Sequence, residues 1–154
     1  MKRTYFQSLI LVAAAIFAIS TLSFSRELVS VRKVIDGDTF VLASGERVRM
    51  IGVDTPETKH PRKPVQYFGK EASEFTRQMI EGKAVVLEYD WQRRDRYGRL
   101  LAYVYLPDGT FLNAEIIKRG YGFANTRYRF RYLDKFIGYE GEAMGNGNGL
   151  WNVK

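Results

Sequence analysis

The sequence contains no cysteine and one histidine, His60. Without thiols the chain has no disulfide, no cysteine zinc site and no thiol nucleophile. A single histidine cannot supply the pair that some hydrolases use as general acid and base, and it cannot build a histidine zinc site. Stability must come from the core, and the chemistry left open is that of carboxylates and cationic side chains.

The sequence also lacks an apolar run of the length of a membrane span, which needs about 20 residues. Its apolar stretch from Leu9 to Ile19 follows Lys2 and Arg3 and precedes small residues up to Ser25. This order is typical of an export signal cleaved after Ser25. The three residues ending at Ser25 are not Ala-x-Ala, so an uncleaved anchor is the alternative.

We therefore predict a signal peptide or N-terminal anchor over residues 1–25 and one globular domain over residues 26–154. The domain is expected to be secreted or periplasmic, or else anchored and facing outward, and to be a monomer. Removing Lys2 and Arg3 with the leader would lower the net charge from +7 to +5. A basic exported domain suits a polyanion, whether nucleic acid, an anionic wall polymer or a lipid surface.

Short apolar and β-branched runs predict five strands. They begin at Val29 and continue as residues 39–42, 48–53, 85–89 and 100–106. The breaks at residues 36–38 and 44–46 contain Asp-Gly and Ser-Gly, which are typical of hairpin turns. The first three strands are therefore expected to form an antiparallel meander.

Three helices are predicted around these strands. An amphipathic helix over residues 68–79 is indicated by apolar residues spaced three and four apart, ending at Gly82. Two more are predicted over residues 112–119 and 133–144, and Leu150 and Trp151 are expected to fold back onto the body. This order predicts a mainly β, α+β chain with the five-stranded barrel of an OB-fold, whose frequent ligands include nucleic acid.

Acidic and basic side chains lie beside the turns or at strand ends. On a meander, Asp38 opens the second strand and Asp54 closes the third, so both should lie at one end of the sheet. Two carboxylates and a nearby carbonyl oxygen suit Ca²⁺ or Mg²⁺, with water and substrate phosphate completing the coordination. An EF-hand is excluded because its twelfth position, counted from Asp36, is Arg47.

Three further side chains complete a set able to cleave a phosphodiester. Glu57 lies beside the predicted cation site and is a candidate general base. Arg49 and Arg99 could each donate paired hydrogen bonds to phosphoryl oxygens while carrying a permanent charge. Taken one at a time, each of these residues has an ordinary explanation as turn chemistry or a solvated surface arginine.

Several segments resemble the staphylococcal nuclease (thermonuclease) family. The matching stretches are residues 35–39, Val-Asp-Thr-Pro-Glu-Thr-Lys-His-Pro at 53–61, Asp-Arg-Tyr-Gly-Arg-Leu-Leu-Ala-Tyr at 95–103, and Gly-Leu-Trp at 149–151. The resemblance covers residues 29–151. It implies an OB-fold enzyme that hydrolyses DNA and RNA with Ca²⁺ and leaves products ending in 3′-phosphate.

The resemblance also implies roles for individual residues. Asp38 and Asp54 match the calcium carboxylates, Thr55 matches the residue whose carbonyl contributes, and Asp36 matches a nearby acid. Glu57 matches the proposed base, and Arg49 and Arg99 match the phosphate-binding arginines. The substrate-binding residues would be Arg96, Tyr97 and Tyr128, with Arg96 where the family usually has lysine and Thr126 where it has a second tyrosine.

Two other functions remain open on the sequence. One is a nucleic-acid-binding module on the same barrel without chemistry, which retention of all the acids and both arginines disfavours. The other is a basic protein that meets anionic polymer at a membrane or wall, which leaves Asp38, Asp54 and Glu57 unexplained.

Overall fold

The predicted strands form a closed barrel, as the sequence indicates. The computed structural model describes residues 26–58, 64 and 66–152. Its barrel strands are β1 (Arg26–Asp36), β2 (Thr39–Leu42), β3 (Arg47–Met50), β5 (Ala84–Glu88) and β6 (Leu100–Tyr105), in the order β1-β2-β3-β6-β5. The pairs are antiparallel except β3 with β6, which run parallel and complete the closure.

The described part of the chain contains three helices: α1 (Gly69–Ile80), α2 (Leu112–Lys118) and α3 (Leu133–Gly145). The helix α1 packs against β1 and α2 against β6, whereas α3 packs mainly against α2. All three predicted helices are confirmed within a residue or two of their bounds, and with the barrel they confirm the OB-type α+β fold. The core is apolar and fully closed from solvent at positions such as Val34, Phe40, Val48, Leu87, Ile116 and Phe136. This burial supplies the main stabilisation of a chain without disulfides.

The prediction that the third strand extends over residues 48–53 is wrong about where the strand ends, and this affects the site. β3 ends at Met50, and Gly52 adopts φ 75° in the turn that follows. A Cβ at Gly52 would lie 2.5 Å from the Phe130 ring, so both the angle and the space require glycine. The chain then enters β4 (Val53–Asp54), which pairs with β7 (Phe123–Ala124) in a separate two-stranded sheet. Asp54 therefore does not close a strand of the meander.

The predicted return of the C-terminus onto the body is confirmed. A 3₁₀ helix spans Gly149–Trp151, and the Leu150 amide donates to the Gly120 carbonyl at 2.8 Å. Leu150 is buried, and the Trp151 ring meets Phe123 edge-on. This contact holds β7 and the end of α2 to the C-terminal segment.

The leader or anchor predicted over residues 1–25 lies outside the described residues, as does His60. Across the part of the chain that the structure describes, no helix has the length and apolar character needed to cross a bilayer.

Candidate active site

Asp38 is the buried centre of the predicted cation site. It lies in the turn between β1 and β2, and its side chain is 9% exposed. The Thr39 hydroxyl donates to Oδ1 at 2.9 Å, and the Thr55 amide and hydroxyl donate to Oδ2 at 2.8 and 2.9 Å. Thr55, predicted as a carbonyl ligand, thus also orients the carboxylate of Asp38.

Arg49 joins the two predicted metal carboxylates. From β3 its Nη1 lies 2.8 Å from Asp38 Oδ2, and its Nη2 donates to Asp54 Oδ1 at 3.0 Å. Nη1 is buried and lacks a well-aligned hydrogen bond, so its contact with Asp38 is mainly one of charge. The structure therefore brings Asp38, Arg49, Asp54 and Thr55 together, although Asp54 reaches them from β4.

Asp36 and Glu57 extend this cluster of acids. Burial, a hydrogen bond with Glu57 and the nearby charge of Asp38 raise the pKa of Asp36 to about 6, against the opposing Thr58 hydrogen bond. The Thr58 hydroxyl donates to Asp36 Oδ1 at 3.0 Å. The Glu57 backbone is fixed by Gln66, whose side-chain oxygen accepts from the Glu57 amide at 2.8 Å and whose amide donates to the Glu57 carbonyl at 3.0 Å.

Arg99 is held by the turn that precedes β6. Its Nε donates to Asp95 Oδ2 at 2.7 Å, and its amide donates to Asp95 Oδ1 at 3.0 Å. Gly98, at φ 79°, allows the turn to close. Burial alone would raise the pKa of Asp95, but the hydrogen bonds from Arg99 and Tyr97 lower it, so the carboxylate stays charged and orients the guanidinium.

The predicted substrate-binding side chains Arg96, Tyr97 and Tyr128 are all exposed. Arg96 Nη2 donates to the Tyr97 hydroxyl at 2.6 Å, and the guanidinium groups of Arg96 and Arg99 lie 4.8 and 5.5 Å from the centre of the Tyr97 ring. Tyr97 and Tyr128 are 68% and 71% exposed. Side chains of this kind offer both charge to phosphate and a face to a base.

A cavity of about 810 Å³ connects these elements. Arg49, Asp54, Arg99, Arg96, Tyr97 and Tyr128 all line it. The lining does not include Asp38, Thr55 or Glu57, and Asp38 adjoins the cavity through its contact with Arg49. The two predicted phosphate-binding arginines therefore face one space, which Asp54 also lines.

The oxygen donors here suit a hard cation. Asp38 and Asp54 both contact the guanidinium of Arg49, and Asp36 and Glu57 are joined by a hydrogen bond. Within the described residues, no three acidic or histidine side chains gather closely enough to form a metal site by themselves. A cation would therefore take Asp38 and Asp54 and depend on carbonyl, water and phosphate oxygens for the rest, which fits Ca²⁺ chemistry.

Sequence reasoning missed three residues that shape the cavity. Asp95 orients Arg99, and its position at the start of a tight Asp-x-x-Gly turn was the available signal. Trp91 lines the cavity from the charged connection between β5 and β6. Asp90 joins that connection to the segment before α3 through the Arg131 amide, a contact between residues 41 positions apart that has no local signature.

Known nucleases resemble this chain in sequence. Residues 47–153 match the family model described as staphylococcal nuclease homologue. The chain is 49% identical over 107 residues to a thermonuclease of Staphylococcus intermedius, covering 64% of this chain and 63% of that protein. It is 42% identical over 124 residues to a thermonuclease of Staphylococcus hyicus, covering 78% and 73%.

A third relative lies outside the staphylococci. The chain is 39% identical over 132 residues to endonuclease YncB of Bacillus subtilis, covering 80% of this chain and 61% of that protein. The match thus spans a little under two thirds of two of these three relatives.

Proposed function

Since the chain belongs to the staphylococcal nuclease family, we propose that it is a calcium-dependent nuclease that hydrolyses DNA and RNA and leaves 3′-phosphate ends. The observation that carries the proposal is the placement of Arg49 and Arg99 on one cavity, with Arg49 in contact with both Asp38 and Asp54. A guanidinium pair facing one space is suited to a phosphodiester, and the two carboxylates that contact Arg49 are suited to a divalent cation. A binding module would need neither arrangement.

The chemical step is in-line attack of water on phosphorus. The new P–O bond forms as the P–O5′ bond breaks, the leaving O5′ takes up a proton from solvent water, and the phosphate remains on the 3′ side. Negative charge grows on the equatorial oxygens during this step, and the guanidinium groups of Arg49 and Arg99 stabilise it through paired hydrogen bonds. Calcium, when bound, would polarise a phosphoryl oxygen and help to orient the water.

We assign Glu57 the role of general base, which accepts the proton of the attacking water. Its backbone is fixed by the two hydrogen bonds to Gln66, and its side chain lies beside Asp36. Asp95 acts on the opposite side by holding the Arg99 guanidinium in place.

The proposal is tested by incubating the purified chain with plasmid DNA, single-stranded DNA and RNA in calcium and then in chelator. We expect all three to be degraded in calcium and preserved in chelator, and mass spectrometry of a cleaved oligonucleotide should show 3′-phosphate. Degradation that survives chelation would overturn the metal assignment. Binding without cleavage would favour the non-catalytic module.

Export is proposed on separate grounds. In residues 1–25 two basic residues are followed by an apolar stretch, which is the order typical of a leader. The remaining domain is basic and contains no cysteine. We expect a monomer found outside the cytoplasm. N-terminal sequencing of exported material should begin after Ser25, whereas an intact Met1 on membrane-bound material would indicate an anchor.

A further inference from the structure

The side chain of Trp91 is largely exposed, although burial of a tryptophan side chain is favourable. A tryptophan side chain gains most from burial, yet Trp91 is 70% exposed. The other tryptophan, Trp151, is partly buried and packs against Phe123. Trp91 also lies on the wall of the 810 Å³ cavity that holds Arg49 and Arg99.

The backbone of Trp91 is firmly placed. Its amide donates to Asp90 Oδ1 at 2.9 Å, while Asp90 Oδ2 accepts from the Tyr103 hydroxyl at 2.6 Å and the Arg131 amide at 3.1 Å. Tyr103 is fully buried. Because this one carboxylate accepts all three hydrogen bonds, Asp90 joins the start of the 91–99 connection to the end of the 127–131 segment, directly beside Trp91.

Arg131 strengthens this junction. Its guanidinium pairs with Glu88 at the end of β5 and donates to the Tyr89 carbonyl at 3.4 Å. The segment that carries Tyr128 is thereby anchored to the strand that leads into Trp91. An aromatic side chain on an anchored backbone loses little conformational freedom when it binds a ligand.

The charge around Trp91 suits a polyanion. Five arginines line the cavity with three aspartates, and each aspartate has a partner: Asp54 with Arg49, Asp90 with Tyr103 and Arg131, Asp95 with Arg99. Arg127 and Arg129 alternate with Tyr128 on the wall joined to Trp91. Aromatic faces interleaved with arginines are the arrangement by which proteins hold a single nucleic-acid strand.

The cavity is large for a small-ligand site. Its volume of about 810 Å³ lies toward the upper end of the ~300–1,000 Å³ typical of small-ligand sites. Trp91 and Tyr97 lie at opposite ends of one connection, six positions apart in sequence. A strand that places one base against Tyr97 therefore has a second aromatic face available within the same cavity.

We propose that Trp91 is an additional base-stacking residue, which holds an unpaired base of the strand beyond the nucleotide bound at Tyr97 and Tyr128. The inference rests on the proposed function only in taking nucleic acid as the ligand, and it does not require cleavage. Stacking on an aromatic side chain contributes about 1–3 kcal/mol per base, a factor of about 5 to 150 in affinity. Trp91 therefore lengthens the bound stretch of strand and tightens binding of long substrates more than short ones.

The test uses the full chain in chelator, so that binding is measured without cleavage. Fluorescein-labelled oligo(dT) of two and eight nucleotides is titrated and followed by anisotropy, comparing wild type with Trp91→Leu and Trp91→Phe. We expect Trp91→Leu to weaken binding of the octanucleotide by about 5- to 150-fold and to leave the dinucleotide unchanged. Trp91→Phe, which keeps an aromatic face, should retain most of the affinity.

Tryptophan fluorescence reports the stacking itself. In Trp151→Phe, Trp91 is the sole tryptophan, and the replacement leaves no polar partner unpaired because the buried Trp151 ring nitrogen donates no hydrogen bond. Unlabelled octanucleotide should quench this fluorescence and dinucleotide should not. Unquenched emission together with unchanged affinity of Trp91→Leu would overturn the inference, as would equal weakening for both lengths.

The outcomes separate this inference from the proposed function. Calcium-dependent cleavage by a protein whose Trp91→Leu variant binds normally would remove the stacking role and leave the nuclease intact. Quenching and weakened binding in a protein that cleaves nothing would retain the stacking role and reject the nuclease. Failure of wild type to bind the octanucleotide would reject Trp91 as a stacking residue.

Discussion

The guanidinium of Arg49 lies 2.8 Å from the carboxylate of Asp38, and both side chains are largely buried, at 15% and 9% exposure. The β2–β3 hairpin produces this contact, since Arg49 pairs with Thr39 next to Asp38. Removing either partner would leave a buried charge without compensation, at a cost of roughly 3–5 kcal/mol. Tests of metal binding are therefore best made at the more exposed Asp54.

Replacing Asp54 by Asn should weaken calcium binding with little effect on the metal-free fold, because its side chain is 44% exposed. A ligand at 100 times its Kd stabilises the folded state by about 2.7 kcal/mol. We expect calcium to raise the Tm of wild type and to have far less effect on Asp54→Asn at the same concentration. Asp134→Asn, an equal charge change on α3, is the control, and a full Tm rise in Asp54→Asn would remove it from the ligand set.

Glu57→Gln should lower kcat by about 10²- to 10⁴-fold, the usual contribution of a general base. The variant retains the backbone hydrogen bonds to Gln66, so the loop geometry is preserved. Steady-state cleavage of a labelled oligonucleotide measures the effect. A kcat within a factor of two of wild type would exclude Glu57 as the base.

Arg96→Ala and Arg99→Ala should affect different constants. Arg96 lies on the exposed Tyr97 ring, so its loss should raise KM and reduce the salt dependence of binding by about one charge. Arg99, held by Asp95, should instead lower kcat by about 10²- to 10³-fold. Arg94→Ala is the matched control, because Arg94 pairs with Glu46 and is not among the cavity-lining residues. A change in KM alone for both variants would contradict this division.

Asp90→Asn should make stability less dependent on acid pH. Burial by itself would raise the pKa of Asp90, but hydrogen bonds from Tyr103 and the Arg131 amide lower it below its usual value. Folding therefore favours the charged form, and the resulting stability is present above an unfolded pKa of about 3.9 and is lost as the pH falls through the lower folded pKa. Urea unfolding at pH 7, 5 and 3 should show a lower free energy of unfolding for the variant than for wild type, and the difference should shrink as the pH falls. A difference that stays constant with pH would contradict the assignment.

Gly138→Ala and Gly141→Ala should each stabilise the protein by about 1 kcal/mol, because both glycines lie within α3 and a Cβ there meets no atom within 4 Å. Nothing in the structure explains these two glycines. Gly120→Ala should do the opposite, since Gly120 has φ 71° and its Cβ would lie 2.1 Å from the Asn148 carbonyl oxygen. Urea unfolding followed by circular dichroism distinguishes the two effects, and a loss of stability in both α3 variants would refute the propensity argument.

The fold was predictable from the sequence because its signals are local. Alternating strands, Asp-Gly and Ser-Gly turns and the three-and-four spacing over 68–79 each depend on a few consecutive residues. The break at Gly52 was missed because apolar residues continue on both sides of it. The glycine is required there by Phe130, which lies 78 positions away in sequence.

The sequence was enough to predict which residues form the site, but it was less informative about the contacts between them. The identities of Asp38, Arg49 and Asp54 followed from their motifs and from the family resemblance, and the structure brings them together. Their catalytic and metal-binding roles stay predictions. The Thr55 hydroxyl on Asp38 and the Asp90 junction depend on long-range packing, which leaves no pattern in neighbouring residues.

The parallel pairing of β3 with β6 sets how Arg49 and Arg99 are placed relative to each other. Arg49 lies opposite Leu101 in this pair, and Arg99 is the residue immediately before β6. A slip of one residue along this pair would move Arg99 by about 3.3 Å relative to Arg49 and would reverse the faces of the β6 side chains. Barrel closure and the relative placement of Arg49 and Arg99 are thus one constraint, so we expect a substitution that loosens this strand pair to lower activity before it unfolds the chain.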